Sequence, residues 1–382
     1  MKVLVFTPWY PTAADPVMGV FVRDHAKAAR LYGDVAIIHI VGVDPSTRNL
    51  WRLEEETDTE LTAGLRTYRL FYGRPVPNTG LVLQWWGCLS AIRQLSKDGF
   101  RPDVLHAHIY TAGLAAVVAG RLLGIPVVLT EHSTAFTRRS LPKSDLRQAK
   151  WAMRFAARVL PVSQSLQKAI EGYGIRANFQ VVPNVVDTNL FFPASRPRES
   201  NGAKRLLFVG LLDAGHKKGI PYLLRALAKL RLQRQDWELE VVGSGEAQKE
   251  YEQLAIDLNI VDKVRFLGSK PKARVAEIMR RTDLFVLPSV FETFSVVTIE
   301  AMATGLPVLV TRCGGPEEYV TDAVGRIVPP CDADALADGL ADMLDRLGEF
   351  SRKVIRDYAV ERFSFELIGR MLHEVFVSVK RK

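Results

Sequence analysis

At 382 residues the chain is about twice the length of a common single domain, so two domains are expected, each long enough to bury its own core. Its 48% hydrophobic and 24% charged residues exclude a disordered, collagen-like or coiled-coil polypeptide. The skewed quantity is charge: 51 basic against 42 acidic residues give +9, which invites a polyanionic partner, whether nucleic acid, an anionic membrane or a phosphorylated small molecule.

The chain begins Met1-Lys2-Val3-Leu4-Val5-Phe6-Thr7-Pro8, an apolar run too short for the core of a secretory signal. The first half then pairs short Val/Ile/Leu-rich runs with longer amphipathic stretches: strand 2–6 with helix 21–31, strand 34–41, strand 103–108 with helix 112–123, strand 126–130 with helix 144–157, and strand 158–163. Runs apolar on both faces, alternating with helices, predict a parallel sheet covered on both sides. The most membrane-like stretch, 109–129, is broken by Arg121, Gly124 and Pro126, short of the roughly 20 uninterrupted apolar residues a spanning helix needs.

Polar SRPRESNGAK, residues 195–204, is the clearest linker. It sets an N-terminal domain at 1–192, a linker at 193–204 and a second domain at 205–363. The same alternation restarts there with strands at 205–210, 237–243, 263–268, 283–289 and 307–311. From 364 onward, Phe365, Leu367, Ile368, Met371, Leu372, Val375 and Phe376 fall near helical spacing and predict a closing helix packed on one or both domains. The expected fold is α/β: two doubly wound Rossmann-like domains facing across a cleft, with ligands at the carboxyl ends of the strands. Cys88, Cys313 and Cys331 are odd in number and scattered without a CxxC, so a reduced, cytoplasmic setting is expected.

The segment 288–311, PSVFETFSVVTIEAMATGLPVLVT, carries the most chemistry. Glu292 falls just after a strand, and Glu300 lies eight residues later, inside a helix starting near Ser295 to Val297. Between them sits a helix N-terminus, where free N–H groups and the positive dipole end favour a phosphate. Carboxylates accept paired hydrogen bonds from vicinal hydroxyls, so carboxylate, anion site and carboxylate suit a sugar, a diphosphate and a ribose.

FETFSVVTIEAMATGLPV resembles the E-x7-E signature of glycosyltransferase family 4, retaining transferases of the GT-B fold. WYPTAADPVMGVFVRDHAKA (9–28), DVLHAH (103–108), PVVLTEHS (126–133), VVPNVVDTNLFFP (181–193), FVG with KKG (208–210, 217–219) and EVVGSGE (240–246) agree with it in order and spacing. The resemblance implies a nucleotide-sugar donor with no further cofactor and no metal. Glu292 would hold donor-sugar hydroxyls, Glu300 the ribose, and the backbone of Phe294, Ser295 and Val296 the diphosphate. Lys218 would neutralise the leaving phosphate, Gly19 would let the first domain's loop approach it, and His108 would stand beside the sugar; His132 is a further candidate. Where many relatives read Gly-Arg, this chain has Gly210-Leu211, so Lys217 or His216 would have to replace the second phosphate cation.

Gly243-Ser244-Gly245 lacks the third glycine of a dinucleotide fingerprint, and Asp332-Ala333-Asp334 reads as a helix N-cap rather than a metal motif. A nucleotide-sugar epimerase on the same fold, or a non-catalytic partner subunit hinted at by Leu211, are the competing classes. The charge is lopsided: 22 basic and 15 acidic residues up to position 190, against 29 and 27 beyond it. Lys143, Arg147, Lys150, Arg154 and Arg158 recur at helical spacing with Trp151 and Phe155 alongside, which predicts contact with the anionic inner face of a membrane. No nucleic-acid motif accompanies them. The function expected is transfer of a sugar to an acceptor hydroxyl, in cell-envelope polysaccharide or glycolipid synthesis.

Overall fold

In the computed structural model, which describes residues 1–44, 50–73, 80–194 and 202–380, the doubly apolar runs become the strands of two sheets. The first compact unit comprises Met1–Val185 with Phe365–Lys382, the second Val186–Ser364. The first contains, in order, β1 (Lys2–Thr7), α1 (Val20–Arg30), β2 (Asp34–Val43), β3 (Trp51–Glu56), α2 (Thr59–Thr62), β4 (Arg66–Tyr72), α3 (Gly80–Lys97), β5 (Val104–His108), α4 (Ile109–Leu123), β6 (Val127–Glu131), α5 (Thr134–Thr137), α6 (Lys143–Phe155), β7 (Arg158–Pro161) and α7 (Gln164–Glu171). The strands run β3-β4-β2-β1-β5-β6-β7, all parallel except the antiparallel edge pair β3 and β4.

The second unit contains β8 (Lys204–Val209), α8 (Ile220–Arg231), β9 (Trp237–Val242), α9 (Gln248–Asp257), β10 (Val264–Gly268), α10 (Lys272–Arg280), β11 (Leu284–Leu287), α11 (Val296–Ala303), β12 (Val308–Thr311), β13 (Gly325–Val328), α12 (Ala333–Asp345) and α13 (Arg352–Phe363). Its sheet, β10-β9-β8-β11-β12-β13, is parallel throughout. Strand order reverses beside β8 here and beside β1 in the first unit, the crossovers where ligands of such sheets bind. The predicted strands all form; β3, β4 and β13 were not anticipated.

Helix α14 (Phe365–Val379) belongs to the first unit, where it packs against α1. Phe365, Ile368, Leu372, Val375 and Phe376 join Val22, Ala26 and Ala29 in the core of the first unit. The boundary between units also differs from the one expected. Residues 186–194 lie with the second unit, because Arg356 donates to the carbonyls of Thr188, Phe191 and Ala303 and Val186 N–H bonds Phe363 O. Most of the linker, 195–201, lies outside the described residues. The basic stripe is shorter than predicted: α6 ends at Phe155, and Arg158 opens β7, bonded to the Asn178 side chain at 2.7 Å. Among the described residues no helix is long and apolar enough to cross a membrane.

Candidate functional site

In the second unit the loops leaving β8, β11 and β12 converge. Gly219, at φ 71°, caps α8 in the left-handed region, and a Cβ there would overlap Pro288 O, so the β8 loop can close on the β11 loop only with glycine. That closure carries the preceding side chain inward: Lys218 Nζ donates to Glu292 Oε1 at 2.6 Å, and Ser289 Oγ donates to the same oxygen at 2.8 Å. Glu292 is pinned through its backbone, N–H to Cys313 O at 2.8 Å and C=O from Gly315 N–H at 3.0 Å. Partial burial pulls the Lys218 ammonium down, but the charge and hydrogen bond of Glu292 outweigh it and hold it above the usual lysine value.

Ser295 precedes α11 at φ 72°, a sparsely populated region for a residue with a side chain. The strain is held by Tyr319, whose hydroxyl donates to Phe294 O at 2.6 Å, and by the Ser295–Thr298 hydroxyl pair at 2.8 Å. Phe294 is buried against Tyr319 and Phe363, leaving its backbone rather than its ring at the helix start. Val296 is the first residue of α11, so its amide heads the free N–H groups. Glu300, in the second turn, pairs with Lys272 Nζ at 2.9 Å. Both glutamates are only 6% exposed, so neither is a solvated helix or cap residue. Lys272, the first residue of α10, was not foreseen; its signal was the Lys-Pro-Lys run at a helix start, a pattern without a local partner.

The two proposed substitutes for the missing arginine are engaged elsewhere. His216 Nδ1 lies 2.8 Å from the Tyr251 hydroxyl, and Lys217 Nζ lies 3.8 Å from Asp213 Oδ2. Leu211 is exposed. Asp332 caps α12, accepting the amides of Asp334 and Ala335, as expected. Among the described residues no group of three or more His, Cys, Asp or Glu is arranged to hold a metal ion.

The first unit gathers a second constellation at the carboxyl ends of β5 and β6. His106 and His108 share one face of β5, His132 follows β6, and His25 comes from α1. His108 Nδ1 lies 2.9 Å from His132 Nε2 with the rings nearly parallel, and His106 Nε2 bonds Thr130 Oγ1 at 2.7 Å. The His25 ring lies 5.6 Å from both His108 and His132. Burial, aided by the neighbouring imidazoles, holds His108 and His132 well below the usual histidine value. Burial likewise lowers His25 to about 4 and His106 to about 3. His108 Nε2 is buried without a protein hydrogen-bond partner among the described residues.

Gly19 caps α1 at φ 65°, and a Cβ would overlap Trp9 O, so the 9–19 loop folds tightly on itself. Arg69, buried on β4 and unforeseen, anchors that loop: it donates to Pro11 O at 2.7 Å, to Glu56 Oε2 and to His39 Nδ1. An arginine only donates, so His39 Nδ1 accepts and Nε2–H donates to Pro8 O at 3.2 Å. Glu131, beside His132, accepts amide bonds from Tyr110, His132 and Ser133. Burial nonetheless raises its carboxyl to about 7.

Two family descriptions match the chain, Glycosyltransferase Family 4 over residues 38–190 and Glycosyl transferases group 1 over residues 194–361. The chain is 30% identical over 402 residues to a D-inositol 3-phosphate glycosyltransferase of Corynebacterium urealyticum, covering 95% of this chain and 90% of that one. It is 26% identical over 407 residues to a glycogen synthase of Mycobacterium tuberculosis, covering 100% and 95%. Among solved structures, the sucrose-phosphate synthase of Thermosynechococcus elongatus aligns with a TM-score of 0.78 at 21% identity over 99% of both chains. The Anabaena protein HepE, solved in complex with UDP, also reaches 0.78, at 22% identity over 99% and 100%.

Proposed function

Given that this chain belongs to the family 4 glycosyltransferases of the GT-B fold, we propose that it transfers a sugar from a nucleoside-diphosphate sugar to an acceptor hydroxyl, with retention and without a metal. The observation that carries this reading is the pair of buried glutamates, each held by a lysine, on either side of the α11 N-terminus. The UDP bound to HepE supports a nucleoside diphosphate as the donor's leaving group.

The chemistry follows from the charges. The bond from the anomeric carbon to the diphosphate breaks with its electron pair going to the phosphate, where Lys218 and the α11 amides offset the developing charge. The ammonium exchanges one Glu292 oxygen for a phosphate oxygen, and Glu292 turns that oxygen to sugar hydroxyls. The acceptor oxygen attacks from the same face and passes its proton to the departing phosphate, so no separate base is required. The resemblance further assigns a sugar hydroxyl to His108, neutral through burial, and a phosphate approach to the Gly19 loop; both residues belong to the first unit. Glu300, oriented by Lys272, takes the ribose. Lys218 supplies the positive charge that a divalent cation supplies in metal-dependent transferases.

A setting in envelope polysaccharide or glycolipid synthesis, peripheral to the inner face of the membrane, is supported by the exposed cations Lys143, Arg147, Lys150 and Arg154 on α6. Thermal-shift titration with UDP-, GDP- and ADP-sugars tests the donor class, since a ligand binding only the native state raises its melting temperature. One nucleotide family should stabilise the wild type and not Glu300→Ala. NMR of the product anomer and turnover in EDTA test retention and metal independence; an inverted anomer or an EDTA-sensitive rate overturns them.

A further inference from the structure

Resting on the peripheral-membrane reading above, we propose that a groove on the first unit binds the phosphate headgroup of an anionic phospholipid in a bilayer. The groove has a volume of about 440 Å³ and lies between the C-terminal half of α3 and the end of α4, lined by Ile92, Arg93, Lys97, Arg101, Leu123 and Ile125. Its lining combines apolar side chains with three exposed cations, and no acidic side chain contributes. Arg93, Lys97 and Arg101 make no side-chain hydrogen bond or ion pair among the described residues. The nearby Asp103 is occupied by the Lys2 backbone amide at 2.7 Å and by Lys380 Nζ at 3.0 Å, so it leaves their charge standing. Three unpaired cations over an apolar lining complement a phosphodiester with its acyl attachment, the phosphate meeting the guanidinium groups and the first methylenes meeting the aliphatic side chains.

The surroundings of the groove select a bilayer as the source of that phosphate. Helix α4 packs against both α3 and α6, so these three form one layer. Right-handed crossovers put α1, which connects strands in the opposite direction, on the other side of the sheet. Each helix of the layer exposes a large apolar side chain, Trp86 on α3 (58%), Leu122 on α4 (67%) and Trp151 on α6 (59%). The α6 cations Lys143, Arg147, Lys150 and Arg154 are exposed on the same layer. Tryptophans among lysines and arginines are the composition of a membrane–water interface, whereas a site for a free anion has no use for exposed tryptophan. The layer therefore carries two cation clusters, one on the open helix face and one around the groove.

Vesicle co-sedimentation of the full chain tests the assignment, with phosphatidylcholine alone and with phosphatidylglycerol added. The wild type binds only the anionic vesicles. Arg93→Gln/Lys97→Gln/Arg101→Gln lowers the partition coefficient about 100-fold, three charges at roughly fivefold each, and Arg93→Lys/Lys97→Arg/Arg101→Lys restores it to within a few-fold. Monomeric short-chain phosphatidylglycerol separates groove from surface: it binds the wild type and the α6 variant Lys143→Gln/Arg147→Gln/Lys150→Gln/Arg154→Gln, and not the groove variant. If the groove variant partitions like the wild type, the groove assignment falls and the membrane reading stands. Failure of the wild type to bind anionic vesicles overturns both. Equal binding of glycerol phosphate and short-chain lipid overturns the lipid assignment. An unchanged melting temperature of each variant, with the donor-nucleotide shift intact, establishes that the fold is preserved.

Discussion

Cations are met by carboxylates at many positions of the second unit and stand open on one helical layer of the first. In the second, Lys229, Arg231, Arg234, Arg265, Arg281, Arg326 and Lys353 each lie against a carboxylate. In the first, Arg93, Lys97, Arg101, Lys143, Arg147 and Lys150 make no ion pair among the described residues. Helices α3, α4 and α6 hold seven basic residues and one acidic one, so much of the +9 of the sequence sits in one helical layer. Even the lysines of the candidate donor site follow the second unit's habit: Lys218 and Lys272 are each held by a glutamate, which fixes their position before a ligand arrives. Charge is thus left open on one helical layer of the first unit and closed into pairs around the two buried glutamates of the second.

The largest test of that contrast is Lys218→Ala. Loss of the ammonium removes the positive side chain nearest the departing phosphate, and turnover should fall about 10² to 10³-fold. Glu292 would be left buried with Ser289 as its side-chain partner, so the variant also loses stability, which its melting temperature reads separately from turnover. A loss of turnover smaller than about tenfold would remove Lys218 from the reaction. Next in size, Glu300→Gln should weaken donor binding roughly 10 to 100-fold, since hydrogen bonds to a charged acceptor contribute about 1.5 to 3 kcal/mol. The penalty should vanish for the 2′,3′-dideoxy nucleotide. If both nucleotides lose affinity equally in calorimetry, Glu300 does not read the ribose.

How much of this was legible depends on whether the pattern was local. Strands such as Val104–His108 and Val127–Glu131, buried at every position, read directly as parallel strands. Glu292 and Glu300 read equally well, because a strand exit and a helix turn lie within one short segment. Lys272 did not, since its tie to Glu300 joins two helices with no sequence periodicity between them. Strand β3 was hidden for a different reason: Trp-Arg-Leu-Glu-Glu-Glu is the solvated edge of the sheet, so it lacks the doubly apolar run of an interior strand. Arg69, which no motif marks, is buried, its charge met by Glu56 and its donors shared with His39 and a loop carbonyl.

Acid sharpens the comparison, because the buried histidines belong to the first unit. His25 and His39 are lowered to about 4 and His106 to about 3, all chiefly by burial, so between pH 6.5 and those values the unfolded chain binds protons that the fold refuses. Their stabilising contribution is complete above about pH 6.5 and is lost as pH falls through that window, each costing on the order of 2 kcal/mol by pH 5. Glu131 works in the opposite sense. Raised to about 7, it penalises the fold as pH rises from the usual carboxyl range toward 7 and returns on the order of 2 kcal/mol on acidification. Three histidines outweigh one carboxyl, so hydrogen-exchange protection in the first unit, taken relative to the intrinsic rate at each pH, should fall from pH 7 to pH 5 while that of the second unit changes little. Equal loss of protection in both units would show that the buried histidines do not govern acid sensitivity.

The smallest effect expected is from Lys353→Ala. Its partner Asp357 lies one turn along α13, both side chains face solvent, and an exposed pair of this kind gains little over its hydration. The melting temperature should therefore move by less than about 2 °C, and a larger drop would mean that the second unit's ion pairs hold its fold together. With the small shift, their pairing is better understood as charge cancellation, leaving the second unit without the positive field of the first. Raising ionic strength should then weaken vesicle binding steeply and leave donor affinity less affected, because exposed cations are screened over about 10 Å at 0.1 M salt while the half-buried Lys218 is shielded by its surroundings.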